Sequence, residues 1–159
     1  MSLDLYIVNK TPRKRISSGI YARANGETKE VLTLKEFKQH FPDCDESQFQ
    51  LYETEDENLW EGNVTHNLTE MAEHIIVGEY DFYRLLWHPN DNGFLAATKE
   101  YRELIYQGIS YMLSHRKELE QYNPENGWGS YDSLLSFVQS YAEALSKLDA
   151  DDYKIYSWT

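Results

Sequence analysis

The sequence predicts an α+β fold in a single domain: a small, mainly antiparallel sheet of N-terminal strands plus a C-terminal strand, packed with a C-terminal helical half. Three observations carry this expectation. Leu3-Asp4-Leu5-Tyr6-Ile7-Val8 and Tyr153-Lys154-Ile155-Tyr156-Ser157-Trp158 alternate with period two, the pattern of half-buried strands. Between about 63 and 150 the apolar residues recur at helical spacing instead. The 159 residues show no linker, repeat or low-complexity tract, so 1–159 reads as one unit: 1–62 rich in strands and hairpins, 63–150 helical, 151–159 a terminal strand.

The elements follow in order. After the first strand, Lys10-Thr11-Pro12-Arg13-Lys14-Arg15 reads as a basic loop. Asn25-Gly26 sits between Gly19–Arg23 and Thr28–Leu32 and signals a hairpin, because both turn residues tolerate positive φ. Thr33-Leu34-Lys35-Glu36 is a capping box that opens a short helix to about Phe41, stopped by Pro42. A second hairpin is expected around Glu55-Asp56-Glu57-Asn58. Asn67-Leu68-Thr69-Glu70 reads as another capping box, with a helix to about Ile75. Tyr80 to Trp87 reads as a short helix ended before Pro89. A long helix is expected from about Thr98 to Tyr122, and Ser130 caps a last helix whose Leu134, Val138, Tyr141 and Leu145 share a face. The terminal strand is expected to pair with the first.

Charge narrows the function. The chain holds 27 acidic and 15 basic residues, a net charge of −12. That argues against direct nucleic-acid binding, which needs clustered Lys and Arg. No apolar run is long enough to span a membrane, so no membrane association is expected. Asp43 to Glu61 holds eight acids and no base. The segment is either a solvated face that keeps the protein soluble or an electrostatic surface, centred on Glu53, Glu55, Asp56 and Glu57, aimed at a basic partner.

A single Cys44 excludes an internal disulfide and a multi-Cys zinc site. No phosphate-binding glycine loop, nucleophile elbow or zinc-type histidine spacing is present, so neither a metal nor a cofactor is expected. The densest polar cluster outside the charge runs is Asn63-Val64-Thr65-His66-Asn67, where the chain enters a helix. Amide and imidazole groups beside free helix N–H groups suit a polar or anionic ligand, or they simply satisfy loop backbone. His88, after Trp87, caps a helix or joins His66 as a second ligand or base. Trp128, flanked by Gly127 and Gly129 and followed by Tyr131, pins a connection between helices or offers a stacking platform.

These segments resemble a group of small uncharacterised proteins of bacteriophages, prophages and gut bacteria. The likeness rests on Asn63-Val64-Thr65-His66-Asn67-Leu68, Leu86-Trp87-His88-Pro89 and Asn126-Gly127-Trp128-Gly129. It covers about 60–135 and puts His88 where an Arg is expected. It implies a bacterial host cytoplasm and one shared pocket, but no reaction.

The expectation is a non-enzymatic accessory protein that binds a small polar or anionic ligand through Asn63, Thr65, His66, Asn67, Trp87, His88, Trp128 and Tyr131. The alternative is an acidic inhibitor of a basic host nucleic-acid-binding factor. A hydrolase or transferase using His66 as base ranks last. The 13 Tyr and 4 Trp also allow an exposed aromatic patch and a dimer.

Overall fold

Alternation in the first strand sorts its side chains between two faces. Leu3, Leu5 and Ile7 are fully buried, while Asp4 and Tyr6 between them stay half-buried. The computed structural model describes residues 2–159 and is α+β, with antiparallel sheets and a helical C-terminal half. Seven strands and five α-helices follow in order. They are β1 (Ser2–Ser17), β2 (Tyr21–Ala24), β3 (Glu27–Glu30), α1 (Leu34–His40), β4 (Tyr52–Thr65), α2 (Thr69–Glu73), β5 (Ile76–Val77), β6 (Tyr80–Asp81), α3 (Lys99–Ser114), α4 (Arg116–Glu120), α5 (Tyr131–Ser146) and β7 (Ile155–Trp158). Contacts divide the chain into two compact units: residues up to Lys10 together with Asn58–Thr159, and Thr11–Glu57.

In the larger unit the sheet order is β4-β1-β7. As expected, β7 pairs antiparallel with β1, placing Asp4 opposite Trp158 and Ile7 opposite Ile155. α3 packs on α5, and Tyr101, Ile105, Leu134, Val138 and Tyr141 join Leu3, Leu5 and Ile7 in one core. Thr98 caps α3, its hydroxyl accepting from the Tyr101 N–H. Ser130 opens α5 with a full capping box whose other half is Ser133. Gly108 sits where α3 passes the Phe82 ring, and a Cβ there would fall on the ring carbons.

In the smaller unit Asn25 and Gly26 both have positive φ, 55° and 79°, and turn β2 into β3. Thr33 caps α1 by accepting from the Glu36 N–H. Phe37 is buried and its ring meets those of Phe41 and Phe49. The Glu30 carboxylate accepts from the Ser17 hydroxyl, the Ser18 N–H at 2.9 Å and the Gly19 N–H at 3.4 Å.

Several local expectations are corrected. Residues 10–15 form no loop, because β1 runs on to Ser17. The turn expected at 55–58 lies inside β4, a continuous strand, where an exposed Glu alternates with a half-buried neighbour. The helix expected over 98–122 breaks at His115 into α3 and α4. There the imidazole folds back, donating from Nδ1 to the Tyr111 carbonyl at 2.9 Å and stacking on the Tyr111 ring. Residues 80–87 form β6 and then a π-turn, Tyr83–Trp87, rather than an α-helix. The Asn67–Glu70 capping box does not form. A 3-10 turn, His66–Leu68, comes first, capped by Thr65, and α2 begins without a side-chain cap. Among the described residues no helix is long and apolar enough to cross a membrane.

Candidate functional site

The segments singled out in the sequence meet in the larger unit, but only some of their residues face a common space. Gly129, at φ 96°, lies against Thr65 and Leu68, so closely that a Cβ there would collide with the Thr65 methyl. This contact brings the turn before α2 beside the loop before α5. Next to it opens a cleft of about 610 Å³, lined by Asn67 and Glu70 on one side and by residues 121–126 on the other. Among the described residues its lining has no Lys, Arg or His.

The loop side of the cleft is held by its own amides. Asn123 Oδ1 accepts from the Tyr131 N–H at 2.7 Å, and Asn126 Oδ1 accepts from the Trp128 N–H at 2.9 Å. Using the amide oxygens on backbone leaves the Nδ2 groups as donors. His74 stacks on Tyr122, one of the lining residues, with ring centroids 4.1 Å apart. Trp128 stands just beyond Asn126 and is 71% exposed, a large indole face left in solvent.

The remaining expected site residues lie elsewhere. Asn63 donates from Nδ2 to Ser2 and Asp4 on the neighbouring strand, so it fastens β4 to β1. The Thr65 hydroxyl accepts from the Asn67 N–H. His66 does not line the cleft, and its Nδ1 is buried with no hydrogen-bond partner among the described residues. Trp87 and Tyr131 are core residues, each 1% exposed, and offer no face to a ligand. The Tyr131 hydroxyl instead donates to the Met112 carbonyl at 2.7 Å and ties α5 to α3.

His88 belongs to a second cleft, of about 640 Å³, with Tyr83, Arg84 and Asp91. Its Nε2 lies 3.0 Å from the Tyr83 hydroxyl, and its Nδ1 lies 3.4 Å from an Asp91 carboxylate oxygen. Sequence reasoning missed this pair because helical periodicity of 3.6 does not superpose positions five apart. A π-turn does. The acidic residues of β4 also separate: Glu53, Glu55 and Glu57 are exposed on one side of the strand. Asp56 points to the other and binds Arg15 Nε at 2.9 Å. Among the described residues no group of three His, Cys, Asp or Glu side chains is placed to hold a metal ion.

The described residues thus form an α+β fold in which one cleft is lined by amides and carboxylates and another by a phenol, an imidazole, carboxylates and Arg84. Set against models of protein families, curated proteins and solved structures, the chain matches none of them.

Proposed function

We propose that this protein binds a small, uncharged, polyhydroxylated ligand of the sugar class, held without chemical change in the cleft between Asn67 and residues 121–126. The carrying observation is the lining itself: amides and the carboxylates Glu70 and Glu125, with no cationic side chain among the described residues. Sugar hydroxyls both donate and accept, so amide Nδ2 groups and carboxylate oxygens satisfy them in pairs. An anion would meet two carboxylates and no compensating charge, which favours the uncharged half of the expected ligand range. Trp128 does not line the cleft, but it is exposed two residues after Asn126, and its indole is the kind of flat apolar face that a sugar ring's C–H side covers. The setting, an accessory factor of a phage or mobile element, rests on the motif resemblance.

The test is an isotope-labelled titration of the full chain with glucose, galactose and N-acetylglucosamine. The Trp128 indole N–H and the side-chain amides of Asn67, Asn123 and Asn126 should shift together and saturate. Trp128→Ala should weaken binding about tenfold or more while leaving the other core signals in place. Saturable shifts with phosphate or sulfate, and none with the sugars, would overturn the proposal.

A second reading is favoured by the strand geometry of the acidic segment. Glu53, Glu55 and Glu57 form a row of exposed carboxylates on one side of β4, suited to the basic surface of a nucleic-acid-binding host protein. Capture of such a protein should fall steeply as salt rises and be lost in a triple Glu→Gln variant at these positions. Binding that is indifferent to both removes this reading.

A further inference from the structure

A hydroxyl, an imidazole and a carboxylate line up in the second cleft. Tyr83 begins the π-turn and His88 follows its end, five residues on, so the widened turn sets phenol and imidazole on one side. Their rings meet edge to face with centroids 4.9 Å apart, and the Tyr83 hydroxyl is 3.0 Å from His88 Nε2. Asp91, from the 3-10 turn Asn90–Asn92, places a carboxylate oxygen 3.4 Å from His88 Nδ1. The Asn92 amide donates to the His88 backbone carbonyl at 2.8 Å and anchors the same corner. Asp81 holds the start of the turn by accepting from the Arg84 N–H at 2.9 Å. The cleft has a volume of about 640 Å³, and Glu73 from α2 also lines it.

From this geometry we propose that Tyr83 is a nucleophile that accepts an acyl group from a small uncharged ester, with His88 as its base and Asp91 as the positioning residue. The Asp91 carboxylate holds a proton on Nδ1, which leaves the Nε2 lone pair facing the phenol. Tyr83 Oη attacks the ester carbonyl carbon. Its proton passes to His88 Nε2 and then to the departing alkoxide, giving an acyl-tyrosine and an alcohol. Water then attacks the acyl carbon and gives a proton to Nε2. The C–O bond to Tyr83 breaks and the phenolate takes the proton back, so the net change is ester plus water to acid plus alcohol. The charged groups around His88 are Asp91, Asp81 and Glu73 against Arg84. This acidic excess disfavours an anionic acyl donor and favours an uncharged one.

The probe is p-nitrophenyl acetate with the full chain, read by p-nitrophenolate release and by peptide mapping of the acetylated residue. Acetylation should fall on Tyr83 about 100-fold faster than on the exposed Tyr21 and Tyr52, the scale of a positioned base. Tyr83→Phe, which keeps the ring and its packing, should bring release down to the level of the other tyrosines. His88→Gln should bring Tyr83 acetylation down to the rate of Tyr21, and Asp91→Asn should lower the maximal acetylation rate while leaving the half-saturating ester concentration unchanged. Acetylation of Tyr83 no faster than of Tyr21, or release unchanged in Tyr83→Phe, overturns the proposal. In each variant an unchanged far-ultraviolet spectrum shows that folding is intact.

Discussion

Tyr101 and Tyr141 bring their hydroxyl oxygens to 2.9 Å inside the core, and the Tyr101 hydroxyl also donates to the Leu85 carbonyl at 2.8 Å. Both rings are fully buried, and each phenol's partner is another buried polar group. The two changes that break this chain are therefore unequal. Tyr141→Phe removes one hydroxyl and leaves the Tyr101–Leu85 bond, and should cost about 1 kcal/mol. Tyr101→Phe strands both the Leu85 carbonyl and the Tyr141 hydroxyl and should cost about 2–3 kcal/mol. Urea unfolding of the two variants measures the difference.

The same pair sets an alkaline limit. Burial pushes both phenols above their ordinary value, Tyr141 far above it. A group whose titration is raised on folding contributes fully below its unfolded value and loses that contribution above it. Stability should therefore stay flat up to about pH 10 in this respect and fall beyond it, since only the unfolded chain ionises there. In Tyr101→Phe/Tyr141→Phe the fall should be shallower, measured by urea midpoints between neutral and strongly alkaline pH.

Gly108 occupies the middle of α3, where alanine would ordinarily favour the helix by about 1 kcal/mol. Here the added methyl would land on the Phe82 ring. Overpacking of this kind costs about 1–3 kcal/mol, so Gly108→Ala should destabilise on balance. Pairing it with Phe82→Leu should recover part of the loss, a coupling that a double-mutant cycle reads directly.

In the smaller unit Glu30 is held below the usual carboxylate range, first by the Ser17 hydroxyl and then by the Ser18 and Gly19 N–H groups and Arg15. A carboxyl lowered on folding contributes stability above its unfolded value and loses it as pH falls through the folded one. Thermal unfolding followed at a probe in 11–57 should thus weaken as pH drops below about 4.5. Glu30→Gln should be weaker at neutral pH and less sensitive to acid over that window.

The capping box of α5 is the simplest test of a feature legible from the sequence. Ser130 accepts from the Ser133 N–H at 3.2 Å, and Ser133 accepts from the Ser130 N–H at 2.6 Å. Ser130→Ala should cost about 1 kcal/mol and lower the melting temperature by about 2–4 °C.

Such local signals carried much of the fold. The Asn25-Gly26 turn, the caps at Thr33 and Ser130, and the pairing of first and last strands follow from chemistry confined to a few residues. The failures have a different cause. Arg13-Lys14-Arg15 and Glu55-Asp56-Glu57 look like loops because charge usually marks solvent, yet Arg15 and Asp56 form an ion pair and their segments are strands. The π-turn depends on a hydrogen-bond spacing that apolar periodicity does not report. In the amide cleft, Asn67 and the Asn126–Trp128 loop were visible as unusual polar segments. The burial of Trp87 and Tyr131 was not, because an aromatic side chain reads alike whether it fills a core or stacks on a ligand.

The pairing of Asp4 with Trp158 also sets an order of events. β1 is the first element and β7 the last, so the centre of the larger unit's sheet cannot be closed on that side until nearly all the intervening chain has been organised. α3 and α5 are close in sequence and close a short loop, whereas joining β1 to β7 closes nearly the whole described chain at a greater cost in loop-closure entropy. Until β7 is made, that side of β1 has no strand partner among the described residues, an open edge of the kind that invites mispairing.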